Sequence, residues 1–315
     1  MCCLPSNDRT RLTAIVPASD QPPELERCLA AIRAAEQPPE ELVVVESAPS
    51  PGPAAARNAG ALTATGEVLV FVDSDVIVRP DVFRRIRTAF ASETDLVALF
   101  GSYDDLVEAP DAVSAFRNLL HHHVHQSSPG PAATLWAGLG AIRRDAFARV
   151  GGFDSNRYLE PSVEDIELGM RLAASGALIR LDPEIQGTHL KRWTLAGMIQ
   201  TDFSRRGVPW VSLLARTRSP STGLNLAWRH RASAAASLAF TLAVLDRRPR
   251  VAATALGAML ALNFSFYSLL LRRRGAVQAL EGVGLHVVHH LTATCAVPVG
   301  LATHAYERFA LSRGR

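Results

Sequence analysis

The sequence is short of lysine and cysteine, and its charge is nearly balanced. Lys191 is the single lysine among 315 residues. The net charge of +3 at pH 7 is too small to imply nucleic-acid binding, so we expect no nucleic acid among the partners. Four cysteines show neither metal-ligand spacing nor a disulfide framework, and we expect reduced thiols. They are Cys2, Cys3, Cys28 and Cys295.

The N-terminal residues also lack the apolar core of a secretory signal peptide. Met1 to Asp8 contains no long hydrophobic run, so we expect the N-terminal domain to stay in the cytoplasm. With 48% hydrophobic and 20% charged residues, the chain has material for one sizeable core and an accessory region. We predict a tail over residues 1–10, an α/β domain over 11–215 and a membrane-associated helical region over 216–315.

Long stretches without charge lie in the C-terminal region, where arginines bracket them. Val251 to Leu271 is 21 residues without a charged side chain, which is enough for a tilted membrane span. Ala232 to Leu245 is shorter, and Gly282 to Tyr306 contains several histidines and Pro298. We predict transmembrane or amphipathic helices with two to three spans, hence a multi-pass protein of the inner (cytoplasmic) membrane. A soluble helical subdomain is the alternative.

Short apolar runs alternate with helical patterns in the N-terminal half. Such alternation is typical of βαβ units and predicts a Rossmann-like α/β domain with a mainly parallel sheet. The carboxyl ends of the strands should therefore line one crevice, where ligands bind in open α/β sheets. The predicted elements are strands Leu12 to Val16, Glu41 to Val45 and a third ending at Asp73, with helices Pro23 to Ala35 and Ala54 to Ala64.

Two carboxylates end the third strand. Asp73 and Asp75 flank Ser74 directly after the apolar run Val68 to Val72. Since side chains on a strand alternate between faces, both carboxylates should project to the same side. Paired hard oxygen donors suit Mg2+ or Mn2+, which also takes oxygens from a substrate diphosphate. The alternative is a strand-to-helix turn in which one of them caps the following helix.

Several motifs, taken in order, resemble family 2 glycosyltransferases, which have the GT-A fold. The resemblance covers roughly residues 11 to 195 and implies a donor half over about 11–100 and an acceptor half over about 101–215. It departs after the second strand, where Glu46-Ser47 is followed by a Pro-rich segment. The matching motifs are Ala14-Ile15-Val16-Pro17, Leu42 to Ser47, Ala56-Arg57-Asn58-Ala59-Gly60, Phe71 to Asp75, Trp136-Ala137-Gly138-Leu139-Gly140, Gly151-Gly152-Phe153-Asp154 and Glu164 to Leu168.

The resemblance implies roles for individual residues. For the nucleotide sugar they are Pro17, Ala18, Glu46, Arg57, Asn58, Asp73, Arg192 and Trp193; for the acceptor Trp136, Gly138 and Glu164; for the metal Asp75 and Asp73. His189 is a candidate third metal ligand, or a core histidine bonded to a carbonyl. The cluster from His121 to His125 has the wrong spacing for one tetrahedral zinc site, and we place it as a lining of the acceptor channel.

Asp165 is the candidate catalytic base. The resembled family uses the corresponding aspartate to deprotonate the acceptor hydroxyl. The residues around it also predict a helix with Ser162 as N-cap and Gly176 as C-cap, in which Asp165 could serve the helix start instead.

These features together predict an inverting, metal-dependent glycosyltransferase of the cell envelope. It would move a sugar from a nucleotide sugar, with UDP as the expected nucleotide, to a lipid, lipid-linked or polysaccharide acceptor at the cytoplasmic membrane face. Two alternatives stay open. One is an inactive nucleotide-sugar-binding membrane protein. The other is a sugar nucleotidyltransferase, which needs a Gly-rich phosphate loop after the first strand that Val16 to Asp20 does not provide.

Overall fold

The structure, a computed structural model, describes residues 10–20, 22–218 and 227–313. They belong to two compact units. The first comprises Met1–Asp104 and Pro129–Leu190, and the second comprises Asp105–Ser128 and Lys191–Arg315. The limits of the two units differ from the predicted domain boundary between residues 215 and 216. The division of the first domain into a donor half and an acceptor half stays a prediction. Apart from Thr10, the predicted tail lies outside the described residues.

The described part of the first unit contains a mixed sheet with helices around it. Its strand order is β2-β1-β3-β7-β5-β8-β4, and β6 pairs with β8. The strands are β1 (Leu12–Pro17), β2 (Glu41–Val45), β3 (Val68–Val72), β4 (Val76–Val78), β5 (Leu96–Tyr103), β6 (Gly130–Ala132), β7 (Leu139–Arg143) and β8 (Leu178–His189). β1 is parallel to β2 and β3, so the βαβ prediction for this part is confirmed. β7 runs antiparallel between β3 and β5 and makes the sheet mixed.

Helices cover the sheet and close its core. They are α1 (Leu25–Ala34), α2 (Pro53–Thr63), α3 (Val82–Ser92), α5 (Arg144–Arg149) and α6 (Glu164–Ala174). β3 is buried along its whole length, as its continuous Val and Phe pattern predicts for a strand covered on both faces. Phe71 of β3 and Phe83 and Ile86 of α3 are among the largest fully buried side chains. This burial fixes the strand whose end carries Asp73 and Asp75.

The described part of the second unit is helical. Its elements are α4 (Ala112–Gln126), α7 (Leu195–Gln200), a π-helical segment (Thr201–Gly207), α8 (Val208–Thr217), α9 (Trp228–Leu245), α10 (Pro249–Leu262) and α11 (Phe264–Arg313). One core joins Phe116 and Leu119 of α4 to Met198 and to Phe266 and Leu270 of α11. Helix α4, which precedes most of the acceptor motifs in the sequence, therefore belongs to the C-terminal helices.

The predicted single span from Val251 to Leu271 is wrong. Helix α10 ends at Leu262, and Asn263 caps it in a non-helical conformation before α11 begins at Phe264. Gly275, with a φ of 78°, then kinks α11. Within the described residues one helix, Phe264–Ala310, has the length and apolar composition to cross a membrane, so the expectation of two to three spans is not supported.

Candidate functional site

The site begins where β1, β2 and β3 end side by side. Pro17 pairs with Val45 and Ile15 with Phe71, so the residues after these strands meet at one edge of the sheet. The amide of Ala18 donates to the carbonyl oxygen of Val45 at 2.9 Å, which joins the first two strand ends. Glu46 follows β2 and is exposed.

The Pro-rich departure from the family pattern has a structural role after β2. Gly52 has a φ of 93°, a conformation that favours glycine, and a Cβ added there would lie 2.6 Å from the carbonyl oxygen of Leu159. Pro53 then occupies the first turn of α2, where its missing N–H is not needed. The segment thus packs against the residues that lead to α6.

Arg57, on α2, joins two of the predicted carboxylates. Its guanidinium donates to Asp73 Oδ1 at 2.7 Å and to Glu164 Oε1 at 2.9 Å. Burial alone lowers the pKa of Arg57, but the charges of Asp73, Glu164 and Asp165 outweigh burial and raise it. Asp73 keeps 30% of its side chain exposed, whereas Arg57 and Glu164 are each 5% exposed. Arg57 is therefore a permanently charged, buried cation that is bonded to the partly exposed carboxylate of Asp73.

Residues 136–138 connect the Asp73 side of the site with Asp165. The amide of Asp73 donates to the carbonyl oxygen of Gly138 at 3.0 Å, and the amide of Ala137 donates to Asp165 Oδ2 at 3.1 Å. A Cβ on Gly138 would lie 2.5 Å from the indole ring of Trp136, so this glycine lets the ring fold back over it. The Trp-Ala-Gly motif thus spaces the two carboxylates.

The start of helix α6 differs from the predicted capping arrangement. Val163, not Ser162, is the N-cap, and no side chain caps the helix there. Instead, Glu164 Oε2 accepts from the amide of Ser162 at 2.8 Å. Ser175 is the C-cap and Gly176 follows it with a φ of 84°. Asp165 stands in the first turn, where it accepts from Ile166 and Ala137.

Asp75 lies beside His189 rather than within a ring of ligands. Asp75 Oδ2 is 3.3 Å from His189 Nε2, and the imidazole stacks on Tyr103 with ring centroids 4.2 Å apart. Tyr103 in turn meets the edge of Trp136 at 4.8 Å. No three His, Cys, Asp or Glu side chains are arranged to hold an ion in the ranges that the structure covers. The side chains are therefore not gathered into the predicted three-residue metal set, and His189 lies within ion-pair distance of Asp75.

Cys28 packs behind the aspartate pair. Its Sγ donates to the carbonyl oxygen of Asp73 at 3.5 Å. Burial, and then the charges of Asp73 and Asp75, raise the pKa of this thiol to about 12. The thiol is therefore neutral at physiological pH, as expected for a reduced core cysteine.

Asn58, a predicted contact of the nucleotide sugar, bonds through its side chain to the backbone of Phe153. Its side-chain amide donates to the carbonyl oxygen of Phe153 at 2.8 Å and accepts from the amide of Phe153 at 2.9 Å. Both polar atoms thus hold the Gly-Gly-Phe-Asp segment. The sequence showed both motifs, but no signal in it paired them.

The remaining predicted residues belong to the second unit. Arg192 is exposed, and the Lys191 ammonium lies 4.7 Å from the centre of the Trp193 ring. Arg117 stacks on the same ring at 4.9 Å and pairs with buried Asp202 at 2.8 Å. Sequence reasoning missed Arg117 and Asp202, because nothing in their local patterns links two residues so far apart in the chain.

The histidine cluster also lies in the second unit. His121 and His125, one turn apart on α4, have ring centroids 4.0 Å apart. Their role in an acceptor channel stays a prediction.

Comparisons with known proteins agree with this geometry. Residues 48–151 match the model of glycosyl transferase family 2. The chain resembles a mannosyltransferase from Pyrobaculum calidifontis, solved in complex with GDP-Man and Mn2+, with a TM-score of 0.54, 18% identity and coverage of 92% of this chain and 87% of that one. Residues 48–151 are thus similar to family 2 glycosyltransferases, and the likeness to the Pyrobaculum enzyme concerns the GT-A fold.

Curated relatives are the pre-mycofactocin glycosyltransferases of two strains of Mycobacterium tuberculosis, CDC 1551 / Oshkosh and H37Rv. Each is 32% identical over 166 residues, which is 50% of this chain. The aligned part spans about a third (34%) of each of these relatives.

Proposed function

We propose that the chain is an inverting, metal-dependent glycosyltransferase that uses a nucleotide sugar. The observation that carries the proposal is the linked set of carboxylates in the first unit. Arg57 joins Asp73 to Glu164, and residues 137 and 138 bond to Asp165 and Asp73. A carboxylate pair for the donor and a separate carboxylate for the acceptor are the groups that such a transfer needs.

The donor side fits a divalent ion. The side chains of Asp73 and Asp75 are 30% and 24% exposed, so hard oxygens face solvent at the strand ends. Asp75, assisted by the Asp73 oxygen that Arg57 leaves, would hold Mg2+ or Mn2+, whose remaining positions water and a diphosphate can fill. When bound, the ion supplies positive charge for the leaving nucleoside diphosphate. Pro17, Ala18 and Glu46 line the nucleotide side of the same edge. UDP is the proposed nucleotide, although the Pyrobaculum enzyme was solved with GDP-Man.

Asp165 serves as the base in this proposal. Its two oxygens accept from the amides of Ala137 and Ile166, which fix the carboxylate without neutralising it. An ionised carboxylate fixed in this way can accept the acceptor hydroxyl proton while the oxygen attacks the anomeric carbon. A single base and direct displacement invert the anomeric configuration. Trp136 and Gly138 border this carboxylate and are the proposed acceptor contacts.

The acceptor is proposed to be a lipid, a lipid-linked sugar or a polysaccharide at the cytoplasmic face of a membrane. The support is the helical second unit, which carries a candidate membrane helix. Alkaline carbonate extraction of membranes tests the location. The full chain is expected in the pellet, and recovery in the supernatant would contradict membrane integration through this helix.

The donor assignment is tested with a panel of nucleotide sugars in a thermal-shift assay, with and without Mn2+, followed by measurement of released UDP or GDP. Asp75→Ala should abolish Mn2+-dependent UDP binding in calorimetry, because the ion loses its main protein oxygen. Asp182→Ala is a matched control, since the Asp182 side chain is 27% exposed and belongs to the far part of β8. Unchanged UDP affinity in Asp75→Ala would refute the metal assignment, and binding without any release would favour an inactive binding protein.

A further inference from the structure

Helices α9 and α10 form an antiparallel pair, called here the α9–α10 hairpin (residues 228–262). Three residues, 246–248, connect them. Arg229 at the start of α9 donates to the carbonyl oxygen of Leu262 at the end of α10 at 2.6 Å. Ser237 also meets Met259, so the half of the hairpin away from the turn is closed by contacts between the two helices.

The interior of the hairpin combines buried Met259 and alanines with two serines. Ser233 and Ser237, one turn apart on α9, are fully buried. Ser237 donates to the sulfur of Met259 at 3.1 Å, and the side-chain amide of Asn263 donates to Ser233 Oγ at 2.8 Å. Small residues at the contact and hydroxyl or amide bonds between helices are characteristic of helix packing in lipid.

The outer surface of the same hairpin is apolar. Leu238, Leu242 and Leu245 are 37%, 53% and 72% exposed, and their spacing of four and three residues places them on one stripe of α9. Val251 at the start of α10 is 49% exposed. A hairpin in water places its leucines between the helices and its serines outside. This one exposes its leucines and buries its serines, the arrangement expected of a helix pair in lipid.

The hairpin is too short and too charged at both ends to cross a bilayer. The uncharged part of α9, Ala232 to Leu245, is about 21 Å long at 1.5 Å per residue, whereas the hydrocarbon core is about 30 Å thick. Asp246, Arg247 and Arg248 form the turn, and Arg229 and Arg231 stand at the other end. A vertical orientation would place one of these charged ends inside hydrocarbon, at high cost. A horizontal orientation keeps both ends at the level of the headgroups.

We propose that the α9–α10 hairpin lies in the plane of one leaflet of an anionic membrane. The Leu238–Leu242–Leu245 stripe enters the acyl region, and the arginines at the two ends contact lipid phosphates. The arginine-rich ends favour an anionic bilayer over a second copy of this chain, whose matching hairpin ends would carry the same positive charge. The inference rests on the membrane location proposed above. It adds that the α9–α10 hairpin is the membrane-binding surface and that the lipids it binds are anionic.

Spin labels at three positions of the stripe test the orientation. In the full chain, Cys2, Cys3 and Cys295 are replaced by serine and buried Cys28 is kept, and then Leu238→Cys, Leu242→Cys and Leu245→Cys are labelled singly. Leu62→Cys, on α2 of the first unit with Leu62 88% exposed, is the control. The proteins are reconstituted in vesicles of phosphatidylcholine and phosphatidylglycerol. Collision with oxygen and with a water-soluble nickel chelate gives the depth of each label.

An in-plane hairpin gives the three labels one common depth, about 5–10 Å below the headgroups, while the Leu62 position stays in water. A spanning orientation instead gives a depth change of about 10 Å over the seven residues from 238 to 245 and overturns the proposal. Labels that contact neither lipid nor water are buried against protein, which also overturns it. Nucleotide-sugar binding by the same labelled proteins is measured separately, so a failure of the donor assignment is distinguished from a failure of this one.

The arginine contacts are tested by lipid composition. In vesicles of phosphatidylcholine alone, the labels are expected closer to water than in anionic vesicles. Arg247→Gln with Arg248→Gln and Arg250→Gln should give the same shallow position in anionic vesicles. An unchanged depth in both experiments would overturn the role of lipid phosphate.

Discussion

The two units place apolar and polar side chains in opposite ways. In the first unit, Val70, Phe71 and Val72 are fully buried, and the carboxylates that follow them are partly exposed. In the α9–α10 hairpin, Ser233 and Ser237 are fully buried while Leu245 is 72% exposed. The same physical rule accounts for both, since each surface suits its solvent. The first arrangement is the one expected in water, and the second is the one expected in the lipid environment that we propose.

The two units also differ in the buried charged residues that they contain. The first unit buries Arg57 between carboxylates that lead to the solvent-facing edge. The second unit buries Asp202 between Arg117 and His289, at 2.8 Å and 2.7 Å, with 5% of the residue exposed. We therefore expect substitutions in the first network to change catalysis as well as stability, and substitutions in the second to change stability alone.

The largest expected effect is on turnover, at Asp165. Asp165→Asn keeps the shape of the side chain and an oxygen for the Ala137 amide, but it removes the base. Loss of a general base costs about 10²- to 10⁴-fold in rate. Turnover should fall by this factor, measured as release of the nucleoside diphosphate, while the melting temperature and the binding of UDP with Mn2+ hardly change.

Asp145→Asn is the control for this substitution. Asp145 also stands in the first turn of a helix and accepts from the amide of the next residue at 2.8 Å, as Asp165 does. It should leave turnover unchanged. Near-normal turnover in Asp165→Asn would return Asp165 to a purely structural role.

The second prediction tests whether the first unit tolerates its buried charges only as a network. Arg57→Met leaves Glu164 buried and Asp73 without its cation, and removing one partner of a buried pair costs about 3 kcal/mol or more. Urea denaturation should show a loss of about this size in the free energy of unfolding. Arg149→Met removes an exposed arginine that pairs with Asp145, and it should change stability by less than about 1 kcal/mol. Equal effects of the two substitutions would contradict the network.

Sequence patterns predicted the first unit well because its elements obey local rules. β2 was predicted with its observed bounds, Glu41–Val45, and β1 and α2 within one residue at each end. Alternating buried strands and helices also indicated correctly that the carboxyl ends of β1, β2 and β3 adjoin. β1 and β2 are mostly apolar and β3 is apolar throughout.

The remaining features depend on contacts between distant residues or on the solvent. The uncharged run from Val251 to Leu271 predicted one helix, but Asn263 bonds to Ser233 and ends α10. Arg57 meets Glu164 across 107 positions, and no local pattern specifies such a pair. An apolar stripe on α9 predicts burial, and only the packing of the serines shows which side faces inward.

The third prediction concerns the buried charge of the second unit. Burial raises the pKa of Asp202, but Arg117 and the hydrogen bond from His289 outweigh it, and the pKa falls from 3.8 to about 2. The lowered pKa stabilises the folded chain above pH 4 or so, and this stabilisation is lost as the pH falls from about 4 towards 2. Linkage gives a contribution of about 2 kcal/mol. The melting temperature of Asp202→Asn should therefore depend less on pH in this window than that of the wild type, whereas Asp246→Asn, at an exposed aspartate, should match the wild type.

The smallest expected effect is on stability, when a methyl group is added at a closely packed glycine of the site or at a glycine of the hairpin that has open space around it. A Cβ on Gly138 would lie 2.5 Å from the Trp136 ring, while a Cβ on Gly257 of α10 would meet nothing within 4 Å beyond its chain neighbours and the backbone of its own helix. Gly138→Ala should therefore destabilise the chain by about 1 to 2 kcal/mol through overpacking, and Gly257→Ala should stabilise it by about 0.5 kcal/mol because alanine suits a helix interior better. Because the Trp136 ring must move, Gly138→Ala should also raise the KM for the acceptor more than that for the nucleotide sugar. A Gly138→Ala variant with wild-type stability and wild-type KM for both substrates would show that the indole is free to shift, and the Trp-Ala-Gly segment would then lose its role as a fixed spacer between Asp73 and Asp165.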